Sequence, residues 1–206
     1  MYKVIGHPRS RTMRVLWMLE ELGQPYEILS IRPGSSEAMA HNPSGKVPAP
    51  IVEGHTIIDS VAIMQFLADR HGQLTYPAGS IERAQQDSFT QFACDEVDGP
   101  LWTAAKHSFA LPEELRVSTI KPTAKAEFAR AMAVLEVRLG DKEFVMGNAI
   151  TLPDILLGHC AGWAESAKFD LPQGPVADYF TRLRARPALR RAMEKSAEKS
   201  AEKSTN

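Results

Sequence analysis

The chain contains few of the residues that would indicate metal or redox chemistry. Only two of its 206 residues are cysteines, Cys94 and Cys160, and they form neither a C-x-x-C pair nor a zinc-ligand spacing. This favours two buried thiols over a disulfide or a metal site. The six histidines include no H-x-x-x-H pair. The sequence therefore predicts a protein without a bound metal ion.

An excess of charge of one sign and long apolar runs are also lacking. The 24 Lys and Arg residues balance 25 Asp and Glu residues, which argues against the basic surface typical of nucleic-acid or membrane-surface binding. No apolar stretch approaches the roughly 20 residues that a membrane-spanning helix needs, and no signal-peptide pattern is present. A hydrophobic content of 44% and a charged content of 24% are typical of soluble globular proteins. We therefore expect a cytoplasmic protein that binds neither nucleic acid nor a membrane.

The first 72 residues alternate between strand and helix patterns. The order β-α-β-α-β-β-α places a parallel strand pair with a right-handed crossover before an antiparallel hairpin at Glu53-Gly54. Gly23 and Gly72 are typical helix ends, and Asp59 or Ser60 is a typical helix start. The product is a small mixed sheet covered by helices. The predicted elements are strands at 2–6, 26–31, 47–52 and 56–58 and helices at 13–22, 37–41 and 59–71.

After a linker at 73–81 only helical periodicity remains. We therefore predict two domains, an α/β domain at 1–75 and an all-helical domain at 82–200. The Ala-Glu-Lys-Ser repeat from Ala197 has little to bury and is predicted to fray. The predicted helices of the second half are about 82–108, 121–139, 152–167, 174–185 and 188–200.

The strongest local signal in the second half is a helix start at Thr151-Leu152-Pro153-Asp154. It is a capping box with Asp in the place of the usual Glu, in which the carboxylate accepts the Thr151 amide and Thr151 accepts the Asp154 amide. Ile150 and Ile155 are placed to form the flanking hydrophobic staple. The helix that follows is apolar on nearly all sides, so we expect it to be buried.

Four segments together resemble the cytosolic glutathione transferase family, in particular bacterial members with a serine-type active site. The resemblance covers about residues 1–190, and it implies a thioredoxin-like first domain followed by a helical bundle. It also implies a homodimer that uses glutathione as co-substrate and needs no cofactor. The segments are the run from His7 to Val15, the run Asn42-Pro43-Ser44-Gly45-Lys46-Val47-Pro48, the pair Asp59-Ser60, and the capping box.

On that resemblance, glutathione is held by three groups of residues. Val47 and Pro48 form a cis-prolyl turn whose backbone pairs with the cysteinyl part of the tripeptide as an added strand. Asp59 and Ser60, at a helix N-terminus, take the γ-glutamyl ammonium and carboxylate. Two cations, Lys46 and Arg32, are placed to meet the glycyl carboxylate.

The run before the first long helix is predicted to stabilise the thiolate of glutathione. A free thiol has a pKa of about 8.5, so a hydroxyl donor, a helix N-terminus and nearby arginines are needed to make the thiolate the main form. Ser10 is the first candidate for the donor, Thr12 the second, and a backbone amide near Arg11 the third. The first domain has no cysteine, so a mixed-disulfide mechanism lacks its nucleophile.

The implied reaction is conjugation of glutathione to a small hydrophobic electrophile, with peroxidase activity as a side reaction. The electrophile is expected in an apolar pocket between the domains, with Trp102, His107 and Phe109 as its contacts. A non-catalytic binding or regulatory protein of the same fold is the main alternative, because a shared fold does not by itself fix activity. A dehalogenase or isomerase using the same thiolate is a further alternative.

Overall fold

The computed structural model describes residues 1–204, and the chain forms two compact units. The first consists of residues 1–75 together with the chain from Arg184 onward, and the second of residues 76–183. By its contacts the last helix therefore groups with the first unit. The sequence pattern places this helix with the other helices. The predicted domain boundaries, 1–75 and 82–200, stay a prediction.

The first unit is built around a four-stranded mixed sheet, which confirms the predicted order of elements. The sheet order is β2-β1-β3-β4, with β1 parallel to β2 and antiparallel to β3. A small apolar cluster of Ile5, Ile31, Ala38 and Ala49 is buried on it. The elements are β1 (Tyr2–Ile5), α1 (Met13–Glu21), β2 (Tyr26–Leu29), α2 (Ser36–His41), β3 (Ile51–Val52), β4 (His55–Thr56) and α3 (Ser60–His71).

Helix α1 is the centre of the first unit. Seven of its nine residues are buried, including Trp17 at 1% exposure. At its far end, Glu20 and Glu21 receive ion pairs from the last helix and the residue before it, which fastens the end of the chain to α1. The pairs are Arg191 and Lys195 to Glu20, at 2.7 and 2.6 Å, and Arg186 to Glu21, at 2.5 Å.

The second unit is helical throughout, as the sequence predicts. The long pattern at 82–108 is divided in the structure, because Pro100 has no N–H to continue the helical hydrogen-bond ladder. Between the two helices, Ala93–Asp98 has the wider π-helical pitch, and Lys106–Ala110 repeats that pitch after α5. The helices are α4 (Ile81–Phe92), α5 (Gly99–Ala105), α6 (Ile120–Leu139), α7 (Leu152–Ser166) and α8 (Pro175–Arg184), and α9 (Pro187–Ser204) follows in the first unit.

The predicted capping box is present at the start of α7. The Asp154 carboxylate accepts the Thr151 amide at 2.7 Å and the Thr151 hydroxyl at 2.8 Å. It also accepts the Val145 amide and the Tyr179 hydroxyl, at 2.9 and 2.8 Å. Asp154 is fully buried, and it is one of ten buried residues among the fifteen of α7. The start of α7 is therefore part of the buried core of the helical unit.

The end of the chain differs from its prediction. Helix α9 extends through Ser204, beyond the point at Ala197 where the sequence predicts fraying, and residues 205 and 206 lie outside the described residues. Within residues 1–204, no helix combines the length and the hydrophobicity that crossing a bilayer would require.

Candidate active site

The candidate site begins where β1 ends, in an irregular turn at Pro8–Thr12. Gly6 stands at the end of the strand with φ +152°, and a Cβ at this position would overlap the Thr12 hydroxyl oxygen. Glycine is required there, because only glycine has both the backbone freedom and the missing side chain. The turn thereby brings Thr12 against the strand end.

Ser10 lies at the centre of this turn. Its hydroxyl donates to the His7 carbonyl at 2.6 Å and accepts the Thr12 amide at 3.2 Å, and its oxygen is 2.9 Å from the Thr12 hydroxyl oxygen. Ser10 is half-buried, whereas Thr12 is fully buried. Of the two candidate hydroxyls, Ser10 alone has surface that a bound molecule could contact.

The peptide bond between Val47 and Pro48 is cis, as the resemblance implies. Asn42, 5% exposed, organises the loop that leads to it. The Asn42 side chain donates to the Lys46 carbonyl at 2.9 Å and accepts both the amide and the hydroxyl of Ser44. Within residues 1–204, neither the amide nor the carbonyl of Val47 has a hydrogen-bond partner. The turn therefore presents an unpaired backbone edge.

Arg32 and Lys46 lie on two loops that contact each other through glycines. The Gly34 amide donates to the Gly45 carbonyl at 2.9 Å. A Cβ on Gly45 would stand 3.2 Å from the Gly34 Cα, so the close approach favours glycine at this position. Both cationic side chains are exposed. The contact brings the two loops together with their charges in solvent.

The N-terminus of α3 carries the third group of predicted residues. Asp59, with φ 72°, caps the helix by accepting the amides of Val61 and Ala62 at 2.9 and 3.2 Å. Ser60 is buried at 4% exposure, and its hydroxyl oxygen lies 3.4 Å from the guanidinium of Arg14. Arg14 itself is 2% exposed. A buried positive charge therefore lies beside the first hydroxyl of α3.

The sheet topology brings these groups to one end of the sheet. The Ala49 amide donates to the Ile5 carbonyl at 3.0 Å, which joins the cis-prolyl turn to the end of β1. The β3–β4 hairpin returns the chain to the same end, where the Ile57 amide donates to the Pro50 carbonyl at 3.0 Å. Asp59 follows two residues later. The turn with Ser10, the Val47 backbone and the start of α3 are therefore neighbours.

The predicted contacts of the electrophile lie in the helical unit, on α5 and just after it. Trp102 and His107 are half-buried, and Phe109 is 68% exposed. The His107 Nδ1 accepts the Val117 amide at 3.0 Å, so this ring nitrogen holds the chain that follows. An apolar surface is available at Phe109, while His107 has a structural hydrogen bond.

Two residues that matter at the site are not singled out by the sequence. Asn42 stands there only within the run that ends at Pro48, although an Asn before Pro-Ser-Gly is a turn-forming signal. Arg14 stands there only within the run from His7 to Val15, and nothing in the sequence pairs it with Ser60, 46 positions away.

Among the described residues, no group of three or more His, Cys, Asp or Glu side chains could hold a metal ion.

Two family models match successive parts of the chain. The family model for the glutathione S-transferase N-terminal domain matches residues 5–75, and the model for the glutathione S-transferase C-terminal domain matches residues 100–187. Glutathione S-transferase GstA of Escherichia coli O157:H7 is 27% identical over 183 residues, which cover 84% of this chain and 87% of that protein.

Solved structures of the same class superpose over nearly the whole chain. A glutathione transferase from Methylococcus capsulatus has a TM-score of 0.83 at 26% identity, covering 96% of this chain and 99% of its own. The glutathione transferase URE2P6 of Phanerochaete chrysosporium, in complex with oxidized glutathione, has a TM-score of 0.79 at 25% identity and covers 96% of each chain.

The fold and the site define a class of protein in which a thioredoxin-like sheet unit precedes a helical unit and offers an open backbone edge at a cis-proline. With the matches to both domain models, the chain belongs to the glutathione S-transferase family. It is a glutathione transferase.

Proposed function

We propose that this protein conjugates the thiolate of glutathione to a small hydrophobic electrophile, with Ser10 as the hydrogen-bond donor to the sulfur. The observation that carries the proposal is the unpaired Val47 backbone, which lies at the same end of the sheet as the turn with the half-buried Ser10 hydroxyl. An extended peptide can add to such an edge as a further strand, because its amide and carbonyl need partners. Glutathione supplies that peptide and carries the reacting thiol in its middle.

The two ends of glutathione have matching charges nearby. The γ-glutamyl carboxylate fits the N-terminus of α3, where Ser60 and the buried Arg14 lie together. The exposed Asp59 carboxylate is the partner for the γ-glutamyl ammonium. Lys46 and Arg32, on their joined loops, are the cations for the glycyl carboxylate.

The reaction needs little from the protein besides an anionic sulfur and a positioned partner. The thiol proton passes to solvent, the sulfur forms a bond to an electrophilic carbon, and a leaving group such as halide departs with the electrons of its bond. Ser10 keeps its own proton and donates a hydrogen bond to the sulfur anion, which lowers the thiol pKa. Trp102, His107 and Phe109 are the proposed contacts of the electrophile. The same thiolate supports peroxidase activity as a side reaction.

The protein is further proposed to act as a cytoplasmic homodimer, which is the arrangement that the resemblance implies. Sedimentation of the purified protein as a monomer would contradict this part of the proposal.

The experiment that tests the function combines calorimetry with turnover. Wild-type protein is expected to bind glutathione and to conjugate an aryl halide. Ser10→Ala is expected to keep the affinity for glutathione while kcat/KM falls about 100-fold, because the anion loses its donor. Ser118→Ala, at an exposed serine of the helical unit, is the matched control and should behave as wild type.

Three results would contradict the proposal, each in a different part. Absence of any heat of glutathione binding removes the enzyme function altogether. Binding without turnover of aryl halides, organic halides or hydroperoxides favours a binding or regulatory protein. Turnover that is unchanged in Ser10→Ala leaves the reaction intact but assigns the donor elsewhere.

A further inference from the structure

The Thr12 hydroxyl occupies a fitted position inside the turn that carries Ser10. Thr12 is fully buried, its oxygen lies 2.9 Å from the Ser10 oxygen, and the absence of a side chain at Gly6 leaves the space that it fills. Its amide donates to the same Ser10 oxygen at 3.2 Å. The amide and the hydroxyl of Thr12 are therefore both directed at the Ser10 oxygen.

Counting donors and acceptors determines the direction of each hydrogen bond. A serine hydroxyl has one proton and two lone pairs. The His7 carbonyl can only accept, so Ser10 spends its proton there, at 2.6 Å. The Thr12 amide occupies one lone pair, and the Thr12 hydroxyl must then donate to the other. The Ser10 oxygen thus receives two hydrogen bonds and gives one.

We propose that Thr12 is a positioning residue that holds the Ser10 oxygen in place with two donors while the Ser10 proton turns from the His7 carbonyl to the glutathione sulfur. The inference rests on the proposed function, since it assigns a role within the same site. A partial rotation about the Cβ–Oγ bond turns the proton from the His7 carbonyl toward the sulfur, while the oxygen stays in place and its two lone pairs still face the Thr12 amide and hydroxyl. The Ser10 O–H bond does not break, and the thiol proton still leaves to solvent.

The two hydrogen bonds from Thr12 also change the donor strength of the Ser10 hydroxyl. An oxygen that accepts hydrogen bonds becomes more polarised, and its own O–H becomes a stronger donor. Ser10 supported by Thr12 should therefore stabilise a thiolate better than an isolated serine. Because Thr12 is buried, it achieves this without contacting glutathione.

The test uses the apparent pKa of the glutathione thiol bound to the protein, followed through the ultraviolet absorbance of the thiolate. Thr12→Val keeps the shape and the backbone amide and removes only the hydroxyl. It is expected to raise the bound thiol pKa by about 0.7 and to lower kcat/KM at neutral pH about fivefold, the size of one neutral hydrogen bond. Glutathione affinity measured by calorimetry should stay within about twofold, and Thr12→Ser should restore both quantities.

A double-mutant cycle distinguishes action through Ser10 from a general structural effect. In a Ser10→Ala background, Thr12→Val is expected to change the thiol pKa no further. An equal change in both backgrounds overturns the proposal, as does an unchanged pKa in Thr12→Val. If Thr12→Val does not fold, Thr12→Ala and Thr12→Ser take its place, and a thiol pKa that differs between wild type and Thr12→Ser also overturns it. If the wild-type protein does not bind glutathione at all, that separate result rejects the proposed function itself.

Discussion

The starts of α3 and α7 use the same chemistry for different purposes. At α3, the exposed Asp59 carboxylate caps the helix by accepting two amides of that helix. At α7, the Asp154 carboxylate is fully buried and accepts four hydrogen bonds, two of them from outside the cap, from Val145 and Tyr179. Both carboxylates satisfy free amides at a helix N-terminus.

The difference lies in what remains available after capping. Burial raises the pKa of Asp154 above its ordinary value of 3.8, although its four hydrogen bonds favour the charged form. Every part of that carboxylate is used internally, so α7 cannot receive a ligand at its start. At α3 the carboxylate is open to solvent, and the buried charge of Arg14 lies next to Ser60. The start of α3 therefore keeps an exposed carboxylate, whereas the carboxylate at the start of α7 is enclosed by the fold.

The largest expected effect breaks the internal cap. Asp154→Ala leaves four buried donors without their acceptor, and each unsatisfied group costs about 1–3 kcal/mol. We expect the free energy of unfolding to fall by at least about 3 kcal/mol, measured by urea denaturation. Asp59→Ala is the matched control and should cost about 1 kcal/mol, the usual value of an exposed cap. Equal losses in the two variants would contradict the distinction between the two caps.

An intermediate effect separates binding from stability at the two helix starts. Ser60→Ala should weaken glutathione binding about tenfold, because the γ-glutamyl carboxylate loses a hydrogen bond of about 1.5 kcal/mol, with little change in unfolding. Thr151→Ala should do the opposite, lowering stability by about 1–2 kcal/mol with unchanged affinity. Calorimetry and thermal unfolding of both variants measure this crossover. If both variants lost stability and kept their affinity for glutathione, the start of α3 would have a structural role as well.

The smallest effect concerns a third carboxylate, Glu20, which is buried like Asp154 but paired with cations. Burial raises its pKa, and hydrogen bonds from Lys195, Arg191 and Tyr26 outweigh burial, so the pKa lies below its ordinary value of 4.5. A lowered folded-state pKa means that its stabilisation is present above about pH 4.5 and is lost as the pH falls through the folded-state value.

Glu20→Gln is therefore expected to reduce stability at neutral pH by about 1 kcal/mol or less, since both cations are half exposed. It should also flatten the fall in stability below about pH 4.5. Urea denaturation across pH 3–7 measures both effects, and Glu194→Gln, at an exposed position of α9, is the control. If the free energy of unfolding fell as steeply with decreasing pH in Glu20→Gln as in the wild type, Glu20 would not be the cause of that fall.

Much of the fold could be predicted because its signals are local. The alternation of strands and helices up to residue 72 follows from side-chain periodicity and from the glycines that end helices, and the structure has the same elements within a few residues. The capping box at Thr151 was readable because its two residues are three positions apart. The order of the predicted strands also led to the correct mixed sheet.

The candidate site could be predicted only in part, because it depends on burial and on contacts between residues far apart in the chain. The sequence could not choose between Ser10 and Thr12, because both are hydroxyls in one short turn. Only the packed turn shows that Thr12 is buried beside Gly6 while Ser10 is half-buried. Arg14 and Ser60 meet only because α1 and α3 lie side by side, and no spacing in the chain encodes that contact.

The sequence by itself determined the order of the helices and strands and the short run that caps α7, because those properties depend on residues a few positions apart. Tertiary structure alone decided which hydroxyl is exposed, which carboxylate is satisfied and which helix the end of the chain joins. Those outcomes depend on solvent access and on contacts between distant residues, such as the ion pairs that join α9 to Glu20 and Glu21. The chain specifies such contacts only through the fold as a whole.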